Sequence, residues 1–186
     1  MRLRINRGVT IPTKPRAVNP VTVPLSYIQR AQTNWCWTAA AEMVFNYYGR
    51  NSAGQCDVAN FQLGRNDCCG SSAVPNSACD KTCVAQAVSK IFSNWQIQSQ
   101  QIKGSVSFST LQAEINAQRP VEVGFVWSSG NKGHLAIVYG WEQNNSGSIV
   151  LVHDPDPNRK TVVISYSDLL TAYGLGNWKF TWTGLK

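Results

Sequence analysis

Trp35-Cys36-Trp37-Thr38-Ala39-Ala40-Ala41-Glu42-Met43-Val44-Phe45-Asn46-Tyr47-Tyr48, followed by Gly49, is the stretch on which the fold turns. Ala, Glu and Met are strong helix formers, and Ala39, Met43 and Tyr47 fall on one helical stripe. Gly49 is a natural C-cap, and Asn34 is a plausible N-cap, so the helix starts at Asn34 or close to it. That start places Cys36 in the first turn. There the unpaired backbone N–H groups and the positive end of the helix dipole favour a thiolate over a thiol, provided that an imidazolium stands nearby. The other reading of Cys36 is a buried core cysteine, a common use of a free thiol.

Working outward, residues 1–20 read as a basic extended arm or linker and Val21 to Ile28 as a short strand or approach segment. Residues 50–80, rich in Gly, Ser, Asn and Cys, read as a stapled loop region with one helical stretch near Val58 to Leu63. Helices are expected over Thr82 to Phe92 and over Phe108 to Gln118, the latter ending before Pro120. From there the pattern becomes β-branched and alternating. Strands are expected at Val121 to Trp127, His134 to Trp141, Ser148 to His153, Thr161 to Ser165 and Asn177 to Trp182, with a small helix near Ser167 to Ala172. Helices first and sheet second make an α+β chain of two lobes, about 21–119 and about 120–186.

The two histidines are the candidates for a base. His134 follows Gly133 and opens the apolar run Leu135-Ala136-Ile137-Val138-Tyr139-Gly140-Trp141, which would anchor its ring on a sheet. His153 closes the next strand and precedes Asp154 and Pro155; as neighbours on a strand, His153 and Asp154 point to opposite faces. If the two strands form a hairpin through Gln143 to Gly147, the end of the second returns beside the start of the first, and Asp154 lies beside His134. A carboxylate there can accept a hydrogen bond from one ring nitrogen and leave the other for a thiol. The plainer reading of Asp154 is a turn residue before proline. Acyl transfer also needs donors for a developing oxyanion. The Cys36 N–H can supply one, and Gln29 or Gln32 the other, and spacing does not choose between the glutamines.

Composition narrows the classes. At 186 residues the chain can bury roughly 70 % of its unfolded surface, and 43 % hydrophobic against 15 % charged residues excludes a disordered chain. No apolar run approaches a membrane span. The net charge of +7 is concentrated in the first 35 residues, which hold Arg2, Arg4, Arg7, Lys14, Arg16 and Arg30 and no acid. The body is nearly neutral, and its seven tryptophans lack the Arg/Lys interleaving of a single-strand groove, so nucleic acid is not expected as a partner. The first twenty residues show no apolar h-region of a secretion signal. A removed signal, another export route and a piece of a longer protein all accommodate this.

Gln29 with Cys36-Trp37, Gly133-His134 opening a strand that ends Tyr139-Gly140, and His153-Asp154-Pro155 together resemble the papain-like cysteine peptidases, which share Gln, Cys, His and Asn/Asp in that chain order. Within that clan the sequence is most similar to bacterial effector proteases of the avirulence type and to double-glycine-peptidase-like proteins. Val23-Pro24 precedes Gln29 by one residue more than their pattern, and the six residues from Gln29 to Cys36 match it. The resemblance implies a papain-like two-lobe fold, Cys36 as nucleophile, His134 as base, Asp154 as its orienter and Gln29 as oxyanion donor, with no cofactor and no metal. It implies a cysteine endopeptidase acting on a protein substrate, in a toxin or effector domain that is secreted or translocated into a target cell, and an immunity or inhibitor protein over the cleft if bacteria are the target. An acyltransferase or deamidase with the same triad, or a silent binding module, are the alternatives. Asp154 stands where papain has Asn, and the arm shows no self-processing motif of the plant effector type.

Cys56, Cys68, Cys69, Cys79 and Cys83 share one stretch with little apolar material, so disulfides are the expected staple and imply an oxidising space at some stage. Their spacing is not that of a zinc finger and no histidine is near. Which cysteines pair stays open. The C…C-C…C loops of similar bacterial proteins imply that Cys83 is the extra member.

Overall fold

Alternation along the late strands divides their apolar side chains between the two faces of one sheet, and helices cover both faces. The computed structural model describes residues 19–70, 78–130, 132–145 and 147–186. The expected arm lies, but for its last two residues, outside them. In chain order the elements are β1 (Val21–Thr22), α1 (Cys36–Tyr47), α2 (Gln55–Leu63), α3 (Ala85–Asn94), β2 (Gln100–Lys103), α4 (Phe108–Asn116), β3 (Val121–Trp127), β4 (Gly133–Asn144), β5 (Gly147–Asp154), β6 (Lys160–Ser165), α5 (Tyr166–Leu170) and β7 (Gly176–Thr183). The strands form one antiparallel sheet in the order β2-β7-β3-β4-β5-β6, with β1 beside the far end of β4. The chain is α+β, as the order of its elements predicts.

One face carries Val121, Val123, Phe125, Ala136, Val138, Val150, Val152 and Trp178 against Leu111 of α4 and Leu169 of α5. The opposite face carries Leu135, Ile137 and Trp182 against Met43, Val44, Phe45, Ile91 and Phe92 of α1 and α3. Side chains such as Phe45 and Phe92, fully out of water, each contribute about 1.5–3 kcal/mol by burial. The helix α1 is buried far beyond the expected stripe: Trp37, Thr38, Ala39, Ala40 and Ala41 are all inside. The three alanines let it lie close against its neighbours.

Gly49 is left-handed at φ 71°, and Arg50 N–H bonds to Phe45 C=O while Gly49 N–H bonds to Asn46 C=O, a Schellman ending. At the other end the N-cap is Trp35, with no side-chain cap. Asn34 does not cap the helix, because Asp80 takes its backbone N–H at 2.7 Å and its side-chain amide donates to the Asp80 carbonyl at 3.2 Å.

Two disulfides, Cys56–Cys69 and Cys68–Cys79, staple the cysteine-rich region, and Cys36 and Cys83 are free. Each closes a short loop and is worth roughly 2–4 kcal/mol by restricting the unfolded chain. They also serve α1: the Trp35 indole N–H donates to the Cys79 carbonyl at 2.8 Å and the Trp37 indole to the Lys81 carbonyl at 3.0 Å. The stapled segment 79–81 thereby holds the residues on either side of Cys36.

Candidate active site

The hairpin expected from the sequence forms, with an irregularity that matters. From Asn144↔Gly147 to Gly140↔Leu151 the β4–β5 register is regular; it then shifts across Tyr139 to Val138↔Val152 and Ile137↔His153. Continued without the shift, the first register would set Asp154 opposite Ile137, on the face away from His134. The bulge moves it one place, opposite Ala136, and so onto the His134 face. His134 Nε2 and Asp154 Oδ1 are 2.6 Å apart, with His134 only 4 % exposed and Asp154 fully buried. The same Asp154 oxygen accepts the Asp156 N–H at 2.8 Å.

With Nε2 engaged, the remaining ring nitrogen faces Cys36, with which His134 hydrogen-bonds. Burial alone would raise the pKa of the Cys36 thiol. The His134 hydrogen bond, the His134 charge, the Leu135 N–H and the Arg30 charge outweigh it, and the net shift is downward. Burial alone would likewise lower the His134 pKa, but the hydrogen bonds to Asp154 and Cys36 and their charges raise it to about 9. The first turn of α1 carries no acid. Both shifts run in the direction that favours a thiolate–imidazolium pair over the neutral thiol and imidazole.

His153 lies on the opposite face and is used for packing. Its Nε2 meets the Leu25 carbonyl at 2.9 Å, its Nδ1 meets the Thr161 hydroxyl at 2.9 Å, and its ring stacks on Tyr139 at 4.0 Å. Burial first lowers its pKa, against the Leu25 bond, so it is neutral at pH 7.

Gln29 is exposed, and among the described residues its side chain makes no hydrogen bond; its carbonyl accepts from Gln55 Nε2 at 2.9 Å. Gln32 is 9 % exposed, and its carbonyl accepts the Trp35 N–H at 3.2 Å.

Several residues that support the site escaped the sequence reading. Trp127, at the end of β3, stacks on His134 at 5.5 Å, and Phe125 does so at 6.4 Å. Their strand was legible, their orientation toward His134 was not. Asp156 bonds Arg30 at 3.2 Å and Arg159 at 3.4 Å. Arg30 N–H also donates to the Pro155 carbonyl at 3.1 Å, so the segment before α1 is clamped to the Asp154 turn. The run Ala172, Tyr173, Gly174 is left-handed at φ 48°, 62° and 78°, a strained path that brings the Tyr173 hydroxyl within influence of Asp154. No sequence signal announces it. Glu122 is fully buried beneath α1 with neither carboxyl oxygen hydrogen-bonded among the described residues. Burial, then the Cys36 charge, pushes its pKa well above the ordinary carboxylate range, which disfavours a negative charge beside Cys36.

Among the described residues, the cysteines closest to a metal-ligand grouping, Cys56 with Cys69 and Cys68 with Cys79, are the disulfide pairs. No described helix is long and apolar enough to cross a membrane.

Comparison with known proteins gives a consistent picture. The model of the peptidase C39-like family matches residues 22–181. Among solved structures the chain is similar to the peptidase domain of Streptococcus ComA, a bi-functional ABC transporter involved in a quorum sensing pathway, at TM-score 0.58 and 18% identity over 86% of this chain and 98% of that one. It is also similar to a double glycine motif protease from an AMS/PCAT transporter, solved with its leader peptide, at TM-score 0.51 and 16% identity over 89% and 96% of the two chains. At these identities the likeness is one of fold. No match was found among curated proteins.

Proposed function

The chain belongs to the peptidase C39-like family and is a papain-like cysteine peptidase, and from that premise we propose that Cys36, His134 and Asp154 are its catalytic triad and that its substrate is a segment of another protein. The observation that carries this reading is one imidazole shared between a buried carboxylate at 2.6 Å and a thiol at a helix start. The Cys36 sulfur attacks the scissile carbonyl, and the C=O electrons move to oxygen, where the Cys36 N–H and the free Gln29 amide meet them. On collapse the C–N bond breaks and His134 gives its proton to the departing amine. Water, deprotonated by His134, then attacks the thioester and releases the carboxylate and the thiolate. Cleavage is read by a mass spectrum of a protein substrate after incubation. A cut chain supports hydrolysis, whereas loss of ammonia or a conjugate shifts the reading to deamidation or acyl transfer.

Gln29→Ala is expected to lower kcat/KM roughly 100- to 1000-fold, as removal of one oxyanion donor does, and Gln32→Ala to act on stability instead. The reverse pattern reassigns the donor to Gln32.

Asp154→Asn is expected to cost much less than Asp154→Ala. In serine enzymes the amide stabilises the wrong tautomer and costs about 10⁴ in rate. Here both ring nitrogens carry protons before attack, and an amide oxygen can still accept from His134 Nε2 and from the Asp156 N–H. Alanine frees the ring. The check is kcat/KM for both variants with folding followed by circular dichroism; an Asn variant as inactive as Ala makes the charge, not the orientation, essential.

The setting we propose is that of a toxin or effector acting on a protein of a target cell, with an immunity or inhibitor protein covering the cleft where bacteria are the target. The two disulfides support passage through an oxidising space. Growth arrest of a target cell by the wild type and not by Cys36→Ala is the expected outcome; equal growth with both removes the effector role.

A further inference from the structure

Resting on the peptidase reading, we propose that the groove beside Trp127 receives the residues that follow the cut, and that it selects an acidic side chain there. The direction follows from the chemistry of the step. The acyl half of the substrate stays on Cys36, and the departing nitrogen takes its proton from His134, so the chain beyond the scissile bond leaves over the His134 side. Trp127, stacked on His134 at 5.5 Å, is the first surface that this segment meets. Trp127 is also one wall of a cavity of about 510 Å³, whose other walls include Ser128, Asp156, Arg159, Gly174 and Leu175. That volume accommodates one or two side chains of an extended peptide.

The charge of the groove decides what fits. Its one acid, Asp156, is held by two guanidinium groups, Arg30 at 3.2 Å and Arg159 at 3.4 Å, so one positive charge remains uncompensated. Arg159 is part-exposed, at 27 %, and is fixed by aromatic faces, its guanidinium carbon 5.5 Å from the Trp127 ring and 5.1 Å from the Tyr173 ring. A planar fork held in this way has donors left for a carboxylate. Leu175, 51 % exposed, offers an apolar surface for the methylenes of Asp or Glu, and the Ser128 N–H fixes its carbonyl at 2.9 Å. Nothing in this geometry constrains the residues before the cut.

The test is to incubate the full chain with a proteome-derived peptide library and to read the cut sites by mass spectrometry, for the wild type, Arg159→Glu and Leu175→Lys. Wild type is expected to enrich Asp or Glu at the first or second position after the cut roughly 5-fold over background, less at high salt. Arg159→Glu is expected to reverse the preference toward Lys and Arg, and Leu175→Lys, a surface change that the fold tolerates, to strengthen the acidic one. Preferences before the cut stay the same in all three. Cleavage with no acidic enrichment, or enrichment that ignores both substitutions, overturns the groove assignment and leaves the peptidase intact. No cleavage by the wild type removes both.

Discussion

Cys36→Ala is expected to yield a folded protein with no measurable turnover. The loss of the nucleophile in enzymes that work through such a triad costs on the order of 10⁴- to 10⁶-fold, and nothing else in the site can take its place: Cys83, the other free cysteine, has its thiol pushed up to about 12, first by burial and then by Glu122 and Cys36. The fold survives because alanine is a better helix former than cysteine and the position is only partly buried in the first turn of α1. The clamps around it, from Trp35, Trp37 and Asn34 to residues 79–81, do not involve the sulfur. The checks are kcat/KM on one peptide and the thermal midpoint. Turnover retained in a folded Cys36→Ala protein would rule out the mechanism.

His134→Ala is expected to be as damaging as Cys36→Ala, while His153→Ala keeps substantial activity. The first removes the proton donor to the leaving group and leaves the buried Asp154 with the Asp156 N–H but without its imidazolium, so a lowered thermal midpoint accompanies the lost rate. The second removes two hydrogen bonds and a ring stacked on Tyr139, on the face away from the thiol, and costs stability of about 1–3 kcal/mol with the chemistry left intact. Rates measured well below both thermal midpoints separate the two effects. A dead His153→Ala with an active His134→Ala would invert the assignment.

Much of this was legible because the decisive residues sit on elements with strong local signals. The Ala-rich run with Cys36 at its head, the Gly133-His134 strand opening and His153-Asp154-Pro155 at a strand end all read correctly as helix and strands, and the hairpin between the two strands brought His134 to Asp154. The reason it does so was missed: in a regular hairpin Asp154 falls on the wrong face, and the bulge at Tyr139 corrects it, next to Gly140, the isolated glycine inside a strand run that marks such a site. Asn34 was misplaced as a cap because the competing partner, Asp80, lies 46 residues away in sequence. The strand β2, Gln100-Gln101-Ile102-Lys103, was missed because an edge strand that pairs only with β7 needs no alternating apolar pattern. The disulfide pairing required three-dimensional proximity, and Trp127, Arg159 and Tyr173 join the site only through packing across the sheet and its loops.

The most direct measurement of the central claim is the rate of iodoacetamide alkylation of Cys36 against pH, with Cys83 in the same molecule as the internal standard and the sites resolved by peptide mass spectrometry. The lowered Cys36 pKa extends the thiolate below the pH at which a free thiol ionises, and the raised His134 pKa keeps its imidazolium partner until pH passes about 9. At pH 6 Cys36 should therefore label far faster than Cys83 or a free thiol, with the lead over a free thiol narrowing as pH rises above 9 and that thiol ionises too. Equal rates for Cys36 and a free thiol at pH 6 would mean that no thiolate–imidazolium pair exists, and the proposed mechanism would have no nucleophile.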